Sequence, residues 1–156
     1  MTSKGRNSNS SNSTLQNSTM KADSLGISSQ ITFLYFKDLD AAVPFFEDIL
    51  QLELVENQGW ARIYRVSEGA FIGAVDESRG SLKAQDNNAV LITLVIDDVD
   101  GWYQRLRGAK GLRVIKEPAV MADIQIKGFF VEGPGGYHFE FQEFMRPEDR
   151  SIFHRA

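Results

Sequence analysis

The feature that most constrains the fold of this chain is an internal repeat. Residues 36–40 (FKDLD) and 96–100 (IDDVD) share one pattern, an apolar residue followed by acidic positions suited to starting a helix. Later in each copy, residues 69–73 (GAFIG) correspond to residues 136–140 (GYHFE), after a modest insertion in the second copy. A register kept over this length indicates two copies of one structural unit.

Hydrophobic periodicity predicts the same order of elements in each copy: a strand, a helix and three strands. The predicted strands cover residues 31–36, 52–54, 60–65 and 70–75 in the first copy, and 89–96, 112–115, 124–132 and 137–143 in the second. Asp38 and Asp98 are expected to cap the helices, and Pro118 to end the strand over 112–115. The predicted fold is α+β, with two tandem βαβββ modules that pair mixed sheets around a shared cup-shaped cleft.

Composition divides the chain into three parts. Residues 1–29 are rich in Ser and Asn, with few large apolar side chains, and are predicted to be a disordered tail. Residues 30–144 form the predicted domain, with modules at about 30–77 and 89–144. Residues 145–156 are a C-terminal tail that either docks on a neighbouring element or frays.

Several classes of function are excluded by composition. Without cysteine there is no disulfide, thiolate nucleophile or Cys-ligated metal, and only two histidines are present. A net charge of −4 and a pI near 5.2 argue against binding to nucleic acid. No apolar run approaches the length of a membrane span, and the cytoplasm is the expected location.

Three segments carry a resemblance to a known family: FLYFKDLDAAVPFFEDILQLELV, ITLVIDDVDGWYQRL and FFVEGPGGYHFEFQEF. Together they resemble the vicinal-oxygen-chelate superfamily, which includes glyoxalase I, extradiol dioxygenases and bleomycin-resistance proteins. The resemblance covers about residues 30–144 and implies the paired βαβββ fold. It also implies a small-molecule ligand and a homodimer.

The resemblance also indicates where metalloenzymes of this family hold their metal. The corresponding positions here are Ile31, Gly73, Leu91 and Glu140. Only Glu140 can bind a metal, so we expect no family-type metal site and no resident cofactor. The alternative is a divalent metal at His138 and Glu140, with a third ligand from Gln142 or Tyr35.

Strand alternation predicts which side chains line the cup. If the old metal positions point inward, so do their neighbours two residues away, giving Ile31, Phe33, Tyr35, Phe71, Gly73, Val75, Leu91, Thr93, Val95, His138, Glu140 and Gln142. Trp60 and Tyr64 join them if their face of the strand points inward. Residues on the opposite faces, such as Leu34, Phe36, Phe139 and Phe141, are expected to pack under the helices.

These observations support three hypotheses about function. In the first, the chain is a metal-independent binding protein whose ligand contacts Phe33, Tyr35, Trp60, Tyr64, Phe71, Thr93, His138 and Gln142. In the second, it is a lyase, isomerase or dioxygenase of the glyoxalase type, with Glu140 as the catalytic general base. In the third, it is an interaction module without chemistry. The expected partners are a small molecule and a second copy of the chain, without nucleic acid or membrane.

Overall fold

A computed structural model describes residues 25–156 of the chain. The first module contains β1 (Gln30–Phe36), α1 (Leu39–Pro44), a π-helical turn (Phe45–Ile49), β2 (Glu53–Asn57), β3 (Ala61–Ser67) and β4 (Ala70–Asp76). The second contains β5 (Leu91–Val95), α2 (Val99–Leu106), β6 (Arg113–Met121), β7 (Ile126–Glu132), a 3₁₀ turn (Pro134–Gly136) and β8 (His138–Phe144). Helix α3 (Pro147–Phe153) follows. Most of the tail that was expected to be disordered lies outside the described residues.

The two modules have the same sheet topology. The first sheet has the strand order β1-β4-β3-β2, and the second has the order β5-β8-β7-β6. The first strand of each module pairs in parallel with the last one, and all other neighbours are antiparallel. The α+β fold of two βαβββ modules with mixed sheets, predicted from the repeat, is therefore confirmed.

Both module helices begin at the predicted aspartates. Asp38 accepts a hydrogen bond from the Ala41 backbone N–H at 3.1 Å, and Asp98 accepts one from Gly101 at 2.9 Å. A Cβ on Gly101 would lie 2.2 Å from the Asp98 carboxylate, so glycine allows the second cap to close. Each cap satisfies a backbone donor that the first helical turn leaves free.

Two prolines shape their elements differently. Pro44 ends α1 because it has no N–H to donate, and the chain continues as a π-helical turn in which Leu50 N–H donates to the Phe45 carbonyl at 2.9 Å. Pro118 does not end its strand, which corrects the sequence prediction. β6 continues to Met121 because it lies at the sheet edge and its ladder is already irregular between Lys116 and Ala119.

One hydrophobic core is shared by the two modules. Buried side chains from the first sheet, both helices and the second sheet form a single cluster. The Phe45 ring from the first module lies 4.8 Å from the Phe139 ring of the second, measured between centroids. Arg105 of α2 donates to the Ile49 carbonyl at 2.8 Å. The modules are therefore joined through aromatic packing and a hydrogen bond.

Tyr137 makes a second connection between the modules. Its hydroxyl donates to the Tyr35 carbonyl at 3.0 Å and accepts from the Tyr35 N–H at 2.9 Å. Its ring packs edge-on against Phe36, with centroids 5.4 Å apart. The buried tyrosine thus fixes β8 of the second module against the outer edge of β1.

The C-terminal segment, residues 147–156, docks on the second sheet. The ring of Phe153 in α3 stacks on Phe144 at the end of β8, with centroids 4.4 Å apart. Of the two alternatives left open by the sequence, docking is the one that the structure shows. No helix within residues 25–156 is long and apolar enough to cross a membrane.

Candidate functional site

Each sheet has one face packed against the module helices α1 and α2 and one facing away from these two helices, which we call the open face. On β1, Leu34 and Phe36 are buried, whereas Ile31 and Phe33 are exposed. The open face of β5 repeats this arrangement with Leu91, Thr93 and Val95. Buried Phe139 and Phe141 belong to the core cluster. The predicted division of the strands into two faces is confirmed at these positions.

The open face of the second sheet carries most of the candidate polar groups. Strand pairing arranges it in three rows: Leu91, His138 and Glu132; Thr93, Glu140 and Phe130; Val95, Gln142 and Gly128. Three of the predicted site residues, His138, Glu140 and Gln142, come from β8 at every second position. The parallel pairing with β5 brings Thr93 beside them, as the sequence predicts.

Glu140 lies at the centre of this face. It is only 6% exposed, although it is an ionisable side chain on an outer surface of the sheet. The Thr93 hydroxyl donates to its Oε2 atom at 2.9 Å. Its neighbour on β7 is Phe130, so an aromatic ring borders the carboxylate on that side. Burial of a carboxylate beside apolar groups disfavours its charge unless a donor or cation is present.

His138 and Gln142 flank Glu140 along β8. Gln142 is buried, and the missing side chain at Gly128 leaves room for it, since a Cβ there would lie 3.2 Å from the Gln142 Cβ. His138 is half-exposed, and its Nε2 atom lies 3.6 Å from Glu132 Oε2. The imidazole therefore faces Glu132 across the strand pair.

The open face of the first sheet is filled by its own side chains. The Phe33 ring covers Gly73 so closely that a Cβ on Gly73 would lie 2.2 Å from a ring carbon. Phe71 lies under the guanidinium of Arg65, 5.1 Å from its ring centroid. Tyr35 contacts the connector after β4, where a Cβ on Gly80 would approach its ring to 2.6 Å.

Two predicted site residues do not lie on the open face. Tyr64 is 0% exposed, pairs with Ile72 and stacks on Phe46, with ring centroids 5.1 Å apart. A β-bulge between Arg65 and Ser67 shifts the register of the hairpin by one residue and turns Tyr64 toward the helices. The expectation that Tyr64 contacts a ligand in the cup is corrected by this placement.

Trp60 also lies away from the candidate polar groups. It sits at the turn between β2 and β3, where its carbonyl accepts from Asp76 N–H at 2.8 Å. Its ring faces the guanidinium of Arg79, 5.8 Å from the centroid. The structure therefore does not bring Trp60 together with Thr93, Glu140 and His138.

A large open cleft lies between the modules, with a volume of about 1350 Å³. The first module contributes the start of β2 and the turn between β3 and β4, and the second contributes the end of β5 and the start of α2. Residues 152–155 of the C-terminal segment form another part of its wall. Thr93 and Val95 connect this cleft to the open face of the second sheet.

Sequence reasoning missed three residues of this face. Phe130 and Gly128 lie beside Glu140 and Gln142, and Lys116 on β6 places its ammonium 5.1 Å from the Phe130 ring centroid. The glycine-rich turn over 133–136 joins β7 to β8, and the register of this hairpin could have identified Phe130 and Gly128 from the sequence. Counting back through that turn pairs Phe130 with Glu140.

The residues at the family's metal positions do not fit a family-type metal. Ile31 and Leu91 have no donor atoms, and the place beside Gly73 is covered by the Phe33 ring. Glu140 alone remains, and it already accepts from Thr93. Within residues 25–156 no group of three or more Asp, Glu or His side chains is gathered in a way that could hold a metal ion.

The fold defines a protein of two paired βαβββ modules with mixed sheets. The family model of the Glyoxalase/Bleomycin resistance protein/Dioxygenase superfamily matches residues 28–141. The chain therefore belongs to this superfamily, and the resemblance seen in the sequence is confirmed.

Solved structures show the same fold. A glyoxalase/bleomycin resistance protein/dioxygenase from Nocardioides is 18% identical with a TM-score of 0.61, covering 80% of this chain and 91% of its own. Lactoylglutathione lyase from Agrobacterium tumefaciens is 22% identical with a TM-score of 0.58, covering 73% and 91%. TioX from Micromonospora sp. ML1 is 15% identical with a TM-score of 0.60, covering 74% and 98%. A search of the curated proteins found no significant match.

Proposed function

We propose that the open face of the second sheet binds a small organic molecule carrying a cationic or hydrogen-bond-donating group beside an apolar or aromatic part. The observation that carries this proposal is Glu140, a carboxylate only 6% exposed whose donor within the described chain is the Thr93 hydroxyl. A ligand that brings a positive charge to the second oxygen would compensate the cost of burying this group.

The surroundings of Glu140 indicate what the rest of the ligand resembles. Phe130 presents an aromatic ring on one side, and exposed Leu91 and Val95 provide apolar surface on β5. Small-molecule sites commonly combine apolar walls with a few polar groups that fix orientation. Gln142 supplies one more such group, next to the space left by Gly128.

This binding needs no metal of the family type. Phe33 occupies the space beside Gly73, and neither Ile31 nor Leu91 supplies a ligand atom. The recognition therefore depends on the carboxylate of Glu140 and the apolar groups near it. A chelator is expected to leave the affinity unchanged.

The test compares a cationic aromatic probe with a neutral one of similar shape. Phenethylammonium and 2-phenylethanol are titrated into the protein by calorimetry, with and without a chelator. We expect saturable binding of the cation, and Glu140→Gln to weaken it by about tenfold or more, since hydrogen bonds to charged groups contribute roughly 1.5–3 kcal/mol.

Glu143→Gln is the matched control, because Glu143 lies on the same strand but its side chain belongs to the opposite face. It should bind the cation as the unmodified protein does. Equal affinity for the cationic and neutral probes, or equal loss in both variants, would contradict the proposal.

A second candidate function is an enzyme in which Glu140 is the general base. The same observation favours it, because a buried carboxylate whose donor within the described residues is the Thr93 hydroxyl can accept a proton from a bound substrate. One structural neighbour is named lactoylglutathione lyase, so that reaction is the first to assay. Turnover lost in Glu140→Gln by at least about 100-fold would favour the enzyme; no turnover would favour the binding protein.

The homodimer and the cytoplasmic location expected from the sequence stay predictions. So does the divalent metal at His138 and Glu140 with a third ligand from Gln142 or Tyr35; within residues 25–156 no three His, Asp or Glu side chains are gathered in a way that could hold a metal ion. The third hypothesis, an interaction module without chemistry, predicts no binding of either probe. The same calorimetric titration therefore separates it from the other two.

A further inference from the structure

The C-terminal segment contacts the end of β8 at Phe144. The Phe153 ring stacks on its ring, and Arg150 donates to its carbonyl oxygen at 3.0 Å. Its backbone N–H donates to the Nε2 atom of His154 at 3.2 Å. All three contacts come from residues 150–154, so the segment is attached over a short stretch.

The imidazole of His154 is in the neutral form in this arrangement. Its side chain is only 5% exposed, and Nδ1 lies 2.6 Å from the Asp97 Oδ1 atom. Because Nε2 accepts the hydrogen bond from Phe144, the single ring proton must be on Nδ1 and donated to Asp97. The ring therefore bridges the end of β8 and the connection between β5 and α2.

This bridge lies at the wall of the large cleft between the modules. Residues 152–155 line the cleft together with Val95, Asp97 and Trp102. Displacement of the C-terminal segment would remove that part of the wall. It would also expose the end of β5, which lies close to Thr93, the residue that donates to Glu140.

We propose that His154 is a pH-sensitive latch whose protonation releases the C-terminal segment from β8 and widens the cleft. Protonation converts Nε2 from an acceptor into a donor, and the N–H of Phe144 then faces another N–H. A flip of the ring does not restore an acceptor for the Phe144 N–H, because both nitrogens of the protonated imidazole are donors. The proposal is independent of what the cleft binds.

Several charged groups surround the ring. They are Asp97 and Asp98 from the connection before α2, and Arg150 and Arg155 from the C-terminal segment. Asp97 would favour the protonated imidazole, but its carboxylate is largely exposed and already lies 3.7 Å from Arg150. The two arginines oppose a further positive charge.

The balance of contacts favours release. The Asp97 carboxylate is solvated and already lies near Arg150, so it gains little from a charged imidazole, whereas the Phe144 N–H loses its acceptor. The hydrogen bond from His154 lowers the pKa of the Asp97 carboxyl, and the nearby charges of Arg150 and Arg155 lower it further. Asp97 therefore stays ionised near neutral pH, and the group whose protonation would break the hydrogen bond to Phe144 is the imidazole.

The chain offers a direct test because it contains only two histidines. The protection of the Phe144 amide against hydrogen exchange is measured by NMR between about pH 8 and pH 5, together with the ring resonances of His154. We expect protection to fall about tenfold with a midpoint that follows the titration of His154, as expected for loss of one buried hydrogen bond.

His138→Gln is the matched control, since His138 is half-exposed on another part of the same strand. It should keep the transition, and His154→Gln should remove it. A circular dichroism spectrum checks that each variant folds, and His138→Gln alone still tests the coincidence of the two midpoints. Unchanged protection of Phe144 across the titration, or a transition that persists in His154→Gln, would overturn the proposal.

Discussion

Tyr64 is a buried tyrosine whose hydroxyl is held by a charged pair. It donates to Glu47 Oε1 at 2.9 Å, and Arg62 donates to the same oxygen at 3.0 Å. Burial raises the pKa of Tyr64 well above its usual value, and the hydrogen bond to Glu47 and its charge act in the same direction. The side chain therefore stays protonated in the folded protein where a free tyrosine ionises.

This raised pKa makes stability depend on alkaline pH. Below the tyrosine pKa of about 10 in the unfolded state, the contribution of this shift to the free energy of unfolding is fully present. Above that pH the contribution falls, because only the unfolded state loses the proton. We expect Tyr64→Phe to lower the free energy of unfolding by about 1 kcal/mol at neutral pH and to flatten its decline above about pH 10. Urea unfolding at a series of pH values measures both effects.

Tyr103→Phe is the control for that experiment, because its hydroxyl lies 3.5 Å from Glu117 at an exposed position. It should keep the alkaline decline. If the free energy of unfolding of Tyr64→Phe declines at alkaline pH as steeply as that of the unmodified protein, a group other than Tyr64 causes the decline.

The placement of Tyr64 also shows where sequence reasoning reaches its limit at this scale. Alternation predicts two faces for β3 but not which one packs on the helices. A regular hairpin starting from the pair Ser67 and Ala70 would place Tyr64 opposite Gly73, on the open face. The bulge after Arg65 moves it opposite Ile72, and a bulge has no reliable signal in one sequence.

At the scale of elements, the repeat predicts equal roles for the two helix caps. Asp38 and Asp98 each accept a backbone N–H three residues ahead. We expect Asp38→Ala and Asp98→Ala each to lower the free energy of unfolding by about 1 kcal/mol. Asp48→Ala, at an exposed position of the π-helical turn, should cost clearly less. A large difference between the two cap variants would show that the modules do not use their caps equivalently.

The predicted elements and the observed ones agree where periodicity is strong. The strands with β-branched and aromatic residues, and the helices with an aspartate cap, were found from sequence alone. Helix α3 was not, because its apolar residues show no repeating pattern, although Pro147, Glu148 and Asp149 are typical of a first helical turn. Glu140, Thr93, His138 and Gln142 were placed on one face, whereas Phe130 required knowledge of the hairpin register.

At the scale of the whole molecule, the shared core makes the two modules one folding unit. Phe45 of the first module is buried against Phe139 of the second. We expect Phe45→Ala to cost about 3–5 kcal/mol, the usual range for a buried phenylalanine. Phe153→Ala is the control and should cost less, because Phe153 is half-exposed on the C-terminal segment.

Each module carries one tryptophan, which allows this unity to be measured. Trp60 reports on the first module and Trp102 on the second. In each of the variants Trp60→Phe and Trp102→Phe, the fluorescence of the remaining tryptophan follows unfolding in urea. Its transition should coincide with the transition measured by circular dichroism. Separate midpoints for the two tryptophans would mean that the modules unfold independently.

The hydroxyl of Tyr137 has a further consequence for how molecules of this protein meet one another. β1 lies at the outer edge of its sheet, and an edge strand with free N–H and C=O groups invites pairing with a strand from another chain. At Tyr35 both groups are already bonded to one phenolic oxygen. The side chain of Tyr137, which comes from the second module, thus protects this stretch of the β1 backbone from aggregation by strand addition.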